Sequence, residues 1–185
     1  MKRYIIGAAV AGCAAAVVAA VTFGNAPAVD ADHHRAYGVA VMKGSEGHED
    51  VMGTVTFTQA EGGVEVVAEF QNVPAGQHGF HIHEFGDLTA PDLSSAGGHF
   101  NPTNQPHSCS PTEERHIGDM GNIESDADGN AKLTHTFENM SLEGEHAIVG
   151  HAVILHAGED DCESQPSGDA GGRIAGGVIG LGARR

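Results

Sequence analysis

Tryptophan is absent from this 185-residue chain, and two Tyr and seven Phe are its only aromatic residues. A core built on large aromatics is therefore excluded, and Val, Ile, Leu and Phe must fill it instead. Cations are scarce as well. Nine Lys and Arg stand against 25 Asp and Glu, a net charge of −16, which argues against any general binder of nucleic acid or anionic membrane. Cysteine appears three times, too few for a disulfide-dense scaffold. No segment sustains a helical period. Disorder is excluded in turn by a hydrophobic fraction of 40%. The length leaves room for one domain and a leader. What the chain has in excess is glycine, at 27, and histidine, at 13, which outnumbers Lys and Arg together. The glycines imply many turns. Histidine at that density in an acidic chain raises metal binding before any motif is read.

Residues 1–28 read as a secretory signal peptide. Lys2 and Arg3 begin it, Ile5 to Phe23 is almost wholly apolar, and Ala26-Pro27-Ala28 forms a small-residue cleavage site. The apolar run is also long enough to remain as an uncleaved membrane anchor, the less favoured reading. Val10-Ala11-Gly12-Cys13 has the outline of a lipoprotein box, but the chain after Cys13 stays apolar. Cleavage would leave seven basic residues against 25 acidic ones, a net charge of −18. The expected destination is the periplasm or the extracellular space. There disulfides persist, and Cys109 and Cys162 are the two cysteines left to pair. Residues 29–36 read as a polar linker, and 37–185 as the folded domain.

From Tyr37 the pattern becomes short alternating segments punctuated by Gly, Asp and Asn. Eight strands are expected: 37–43, 51–59, 64–72, 77–85, 118–125, 130–138, 147–156 and 173–182. Turns at Glu61-Gly62-Gly63 and Asp126-Ala127-Asp128-Gly129 join two pairs of them. The pattern is that of an all-β protein, an eight-stranded antiparallel sandwich or barrel. Residues 86–114 and 157–172 are loops longer than a compact domain normally carries, and such loops are usually functional.

His81-Ile82-His83 falls within a strand, where residues two apart share a face. Both imidazoles then project to one side, while Phe80 and Ile82 point into the core. His99, His107 and His116 follow, with Asp119 three residues beyond the last. Three imidazoles and a carboxylate suit tetrahedral zinc in a closed, structural site. His156 emerges at the end of the apolar Ala152-Val153-Ile154-Leu155 run. His78 reads as a buried, hydrogen-bonded residue on the opposite face, and His48, His135, His146 and His151 as surface or interface residues.

These segments resemble one family closely. Gly79-Phe80-His81-Ile82-His83-Glu84-Phe85-Gly86-Asp87 resembles the copper-ligand signature of copper/zinc superoxide dismutases. Ser95-Ala96-Gly97-Gly98-His99-Phe100-Asn101-Pro102 resembles the family's bridging-histidine segment. Residues 113–119, and 168–175 with 177–180, complete a likeness running from about Tyr37 to the C-terminus. The resemblance implies a Greek-key barrel with the metals outside it, under the two long loops. It implies copper on His81, His83, His99 and His156, and zinc on His99, His107, His116 and Asp119, so that His99 bridges the metals. Asp160 matches the family's carboxylate that joins a copper histidine (His81) to a zinc histidine (His107). Arg173 is the expected anchor for superoxide. The implied activity is conversion of superoxide to O₂ and H₂O₂ by alternating reduction and reoxidation of copper, with His99 passing a proton to the product. A non-catalytic copper/zinc-binding module is the alternative. Such modules tend to lose copper ligands or the arginine, and this chain has both.

The chain also departs from the family. The family's disulfide would join Asp92 or Leu93 to Gly176, and neither pairing has cysteines. The homodimer that the resemblance carries with it therefore lacks its usual brace. Because His107 and Asp160 are expected to meet, and each cysteine lies two residues beyond one of them, a relocated Cys109–Cys162 disulfide is expected. The second loop has no lysine and holds Glu159, Asp160, Asp161, Glu163 and Asp169, so weaker attraction of the anionic substrate is expected.

Overall fold

The computed structural model describes residues 37–183; the leader and linker read at 1–36 lie outside the described residues. Among the described residues nine strands form: β1 (Tyr37–Gly44), β2 (Met52–Ala60), β3 (Gly63–Gln71), β4 (Gly76–His83), β5 (Asp119–Ser125), β6 (Ala131–Phe137), β7 (Ala152–His156), β8 (Arg173–Val178) and β9 (Gly180–Leu181). They lie in the order β2-β3-β6-β5-β4-β7-β8-β1-β9, and pairing of β1 with β2 closes the sheet into an antiparallel barrel. The β3–β4 and β6–β7 connections cross over neighbouring strands, the Greek-key pattern.

Alternation explains β1, β2 and β3, whereas β4, β7, β8 and the start of β5 are buried in continuous runs. In β1, Ala40 and Met42 are buried while Val41 is exposed, and β3 buries Val64, Val66, Ala68 and Phe70 in the same period. Phe57, Phe80, Phe137, Ile82, Ile123 and Ile174 fill the barrel. Each such burial contributes about 1.5–3 kcal/mol relative to exposure. Glu61-Gly62 makes the two-residue β2–β3 turn, where Gly62 has φ 88°, a left-handed conformation that glycine adopts without cost.

Two expected strands end differently. The seventh begins at Ala152 rather than Ala147, because Ile148 turns back to donate its N–H to the Ser141 carbonyl. The eighth is split at Ile179, whose N–H and carbonyl pair with His151 and Gly150 and so pull it from the ladder. Among the described residues the only helical segment is a 3₁₀ turn, Ser94–Ala96, and no helix is long and apolar enough to cross a membrane.

Strand register brings the distant histidines together. A bulge between Gly79 and His81 sets His81 opposite Asp119 on β5, while Phe80–His83 pairs with Leu155–Ala152 of β7. His156 faces Arg173 across β7 and β8. The first long loop is stitched to β4 at its far end, where Phe100 N–H donates to Ile82 O and Glu84 N–H to Gly98 O (both 2.8 Å). That stitching lays His99 beside His83.

Candidate metal centre

Two sets of side chains converge under the loops. His81, His83, His99 and His156 form one, and His99, His107, His116 and Asp119 the other; within each set the potential ligand atoms all lie within 4.8 Å of one another. His99 belongs to both. Its ring is 2% exposed, with Nδ1 2.7 Å from Asp119 Oδ1 and Nε2 facing the other set without a partner. The other carboxylate oxygen of Asp119 lies 3.1 Å from His107 Nδ1, and Oδ1 also lies 3.2 Å from His116 Nδ1.

The outward ring nitrogens are already held by the protein. His83 Nδ1–H donates to the Gly97 carbonyl (3.0 Å), His156 Nδ1–H to Gly171 O (3.2 Å), and His81 Nε2–H to Asp160 Oδ2 (2.7 Å). His107 Nε2–H donates to Asp160 Oδ1 (3.0 Å). Asp160 thus joins one ring of each set. Among the described residues the inward nitrogens His81 Nδ1, His99 Nε2 and His107 Nδ1 are buried with no hydrogen-bond partner. Buried polar atoms left without partners are costly, and three of them aimed at two common points fit metal cations.

Electrostatics agree. Burial pushes His99 down to about 4 and, with the nearby His81, His156 down to about 3; burial and the neighbouring His99 also hold His83 far below the ordinary histidine value. Burial alone would raise Asp119, but the rings of His107, His116 and His99 close beside it keep it far below the usual carboxylate range. Neutral imidazoles, as at His83, His99 and His156, and an ionised carboxylate are the forms that bind metal; His107 differs, since burial would lower it but Asp119 and Asp160 raise it to about 9.

Arg173 stands at the rim of the first set. Its guanidinium donates to the carbonyls of Leu93 and Gly97, the latter at 2.6 Å, and Ser45 Oγ donates to its own carbonyl (2.7 Å). Burial lowers its pKa and Asp92 opposes that; a guanidinium stays charged regardless. Leu93, not Asp92, is the residue that meets Gly176. A side-chain carbon placed on Gly176 would lie 3.0 Å from Leu93 Cδ1, and Leu88, Leu93, Ala96, Ala152 and Ile154 form a small apolar cluster there. Hydrophobic packing occupies the place of the family's cross-link. The expected disulfide is present elsewhere: Cys109 and Cys162 are bonded, with Cα atoms 5.1 Å apart.

Every histidine singled out as a ligand reaches the cluster. His78 is buried, its ring nitrogens 2.8 Å from His156 O and 2.7 Å from Pro74 O. His151 does more than face solvent: Nδ1–H donates to Glu84 O (2.7 Å) and the ring packs on Phe100, centroids 4.0 Å apart. Three further residues position the ligands, and the sequence assigns none of them that role. The Asn122 amide pairs with the Asp160 backbone in both directions (2.8 Å each), and the Gln165 amide does the same for His107 (2.8 Å each). Gly168 is the third, because a Cβ there would collide with Asp160 Oδ1.

Comparison with known proteins agrees with this geometry. The family model "Copper/zinc superoxide dismutase (SODC)" matches residues 51–179. Superoxide dismutase [Cu-Zn] of Schizosaccharomyces pombe is 43% identical over 152 residues, covering 77% of this chain and 96% of that protein. The enzyme of the same name from Onchocerca volvulus is 38% identical over 156 residues, covering 78% and 96%. The crystal structure of the clock protein EA4 is similar in fold, with a TM-score of 0.72 at 38% identity over 78% of this chain and 94% of that one. The chain belongs to the copper/zinc superoxide dismutase family: it is an oxidoreductase that acts on superoxide with copper and zinc as cofactors.

Proposed function

We propose that this is an exported superoxide dismutase in which His81, His83, His99 and His156 hold copper and His99, His107, His116 and Asp119 hold zinc, with His99 bridging and Arg173 anchoring the anion. The observation that carries the reading is the His99 ring, whose two nitrogens face the two sets while Asp119 fixes its orientation. When bound, copper supplies a one-electron redox couple and zinc a fixed Lewis-acidic centre.

The chain's own residues do the rest. Arg173, tied to Leu93 and Gly97, presents a fixed positive charge beside His83 and His156. Superoxide is held there by charge. His99 Nε2 is placed to hold one of the two protons that superoxide needs, together with the one electron the copper couple would supply, to become H₂O₂; water supplies the other proton. Asp119, which lies against Nδ1, marks the zinc side of the ring. Asp160 keeps the His81 and His107 rings in the tautomer that points Nδ1 inward.

Export rests on residues 1–28, read as a leader cleaved before the linker at 29–36, and delivers the domain to the periplasm or extracellular space. The Cys109–Cys162 bond suits such an oxidising compartment. Exposed Val41, Val178 and Leu181, on the neighbouring strands β1, β8 and β9, support a homodimer.

Metal analysis joined to a dismutation assay tests the reading. The exported protein is expected to hold one copper and one zinc per chain and to dismutate superoxide. Arg173→Ala should retain both metals, lose at least about tenfold in rate and bind competing anions such as azide more weakly. Full metal content without dismutation would favour the non-catalytic module instead.

A further inference from the structure

Asp160 is 1% exposed, and among the described residues three donors orient its carboxylate. His81 Nε2–H donates to Oδ2 (2.7 Å), while Oδ1 accepts from both His107 Nε2–H (3.0 Å) and the Cys162 backbone N–H (2.7 Å). Two of these donors sit on the rings that Asp160 has to position. Only the Cys162 N–H is independent of them. Cys162 itself has φ 62°, a left-handed conformation uncommon for a non-glycine residue, on a loop whose exposed neighbours Asp161 and Glu163 leave it little packing. Its side chain is bonded to Cys109, two residues beyond His107, and the His107 backbone is clasped by Gln165 from the same loop as Cys162.

We propose that the Cys109–Cys162 disulfide is a positioning device for the Asp160 carboxylate, and through it for one ring of each metal set. The cross-link holds Cys162 in its left-handed conformation and keeps its N–H on Oδ1, so the carboxylate arrives oriented before either ring is engaged. The anion site does not depend on this bond, because Leu93 packed against Gly176 holds the segment that carries Arg173's acceptors. Retention of metal and retention of the anion anchor are thereby assigned to different parts of the chain.

The proposal rests on the ligand sets given above, and the test separates the two. Holoprotein is loaded with copper and zinc, or with cobalt in the zinc site, and metal loss to excess chelator is followed for the parent, Cys109→Ser/Cys162→Ser, Asp160→Asn, and all three substitutions combined. The serine pair is expected to release zinc about tenfold faster and copper faster as well, and to shift the cobalt absorption bands. Asp160→Asn is expected to do the same in the cross-linked protein and to add little in the serine background, since both act through one carboxylate. Azide affinity of the re-metallated serine pair should match the parent. If the serine pair does not fold, opening the bridge of the native holoprotein with a phosphine reductant gives the same comparison. Unchanged release after loss of the bond, or effects of the bond and Asp160 that add in full, overturns the proposal. If Asp160→Asn alone leaves release and cobalt bands unchanged, the ligand reading fails and the proposal falls with it.

Discussion

Leu93 shows what one side chain contributes here. It is 7% exposed, lies against Gly176, and gives its carbonyl to Arg173. Leu93→Ala should therefore cost about 2–5 kcal/mol of stability, as buried leucine truncations do. It should also loosen the guanidinium, so that azide competes less well while zinc is retained as in the parent. Denaturant unfolding read beside an azide titration checks both; a stability loss with unchanged azide affinity would show that Leu93 only packs. Gly168 is constrained from the opposite direction. With φ +70° and Asp160 Oδ1 against it, Gly168→Ala is expected to displace the carboxylate and speed loss of both metals by about tenfold or more. Chelator competition reads this directly, and parental retention would mean that the loop absorbs the methyl group.

Among the elements, the strands were legible and their supports were not. Alternation marked β1, β2, β3 and β6 within a residue or two at either end, and glycine and aspartate marked their turns. β7 was legible only in part. Ala147–His151 looks as apolar as the strand that follows, and what turns it out is a backbone bond from Ile148 to Ser141, which leaves no mark in the sequence. The metal centre divides in the same way. His81 and His83 two apart on β4, and the zinc-type His107, His116 and Asp119, could be picked out by residue type and spacing. The Gly97 carbonyl, which accepts from both His83 and Arg173, has no side chain to reveal it. Asn122 and Gln165 act through amide pairs with backbone more than 30 residues away, a relation that only the fold creates. His151 is the related case, where a bland surface reading missed a hydrogen bond that fixes the chain just after His83. His151→Ala is expected to leave the fold intact and to weaken copper retention more than zinc retention.

For the whole molecule, charge sets two expectations. The net charge of −16 and the exposed Glu159, Asp161, Glu163 and Asp169 of the second loop leave Arg173 as the cation beside the copper set. Added salt screens repulsion over distances longer than about 8–10 Å more than it screens a contact with Arg173. The second-order rate constant should thus fall little with ionic strength, or rise; a steep fall would reveal attraction that the charges do not provide. The second expectation concerns acid. In metal-free protein burial keeps His99 near about 4 and His156 near about 3, against 6.5 for a free histidine, while Asp119 and Asp160 stay ionised. As pH falls below 6.5 the unfolded chain takes up protons that the native state refuses, so stability falls, first through the histidines and then through the carboxylates. His107 has the opposite sign: burial would lower it, but Asp119 and Asp160 raise it to about 9, so its contribution is complete below 6.5 and is lost progressively as pH rises from 6.5 through about 9. Melting temperatures of metal-free protein should decline from about pH 7 to about pH 4, and a flat profile would contradict the neutral forms of His99 and His156.

The central claim is that one histidine joins two metals. Anomalous diffraction from crystals of the loaded protein, collected at the copper and zinc absorption edges, tests it most directly. The account predicts one ion of each kind, copper among His81, His83 and His156, zinc among His107, His116 and Asp119, and the His99 ring between them with Nε2 toward copper and Nδ1 toward zinc. A single occupied position, or a His99 ring turned away from either ion, would contradict it.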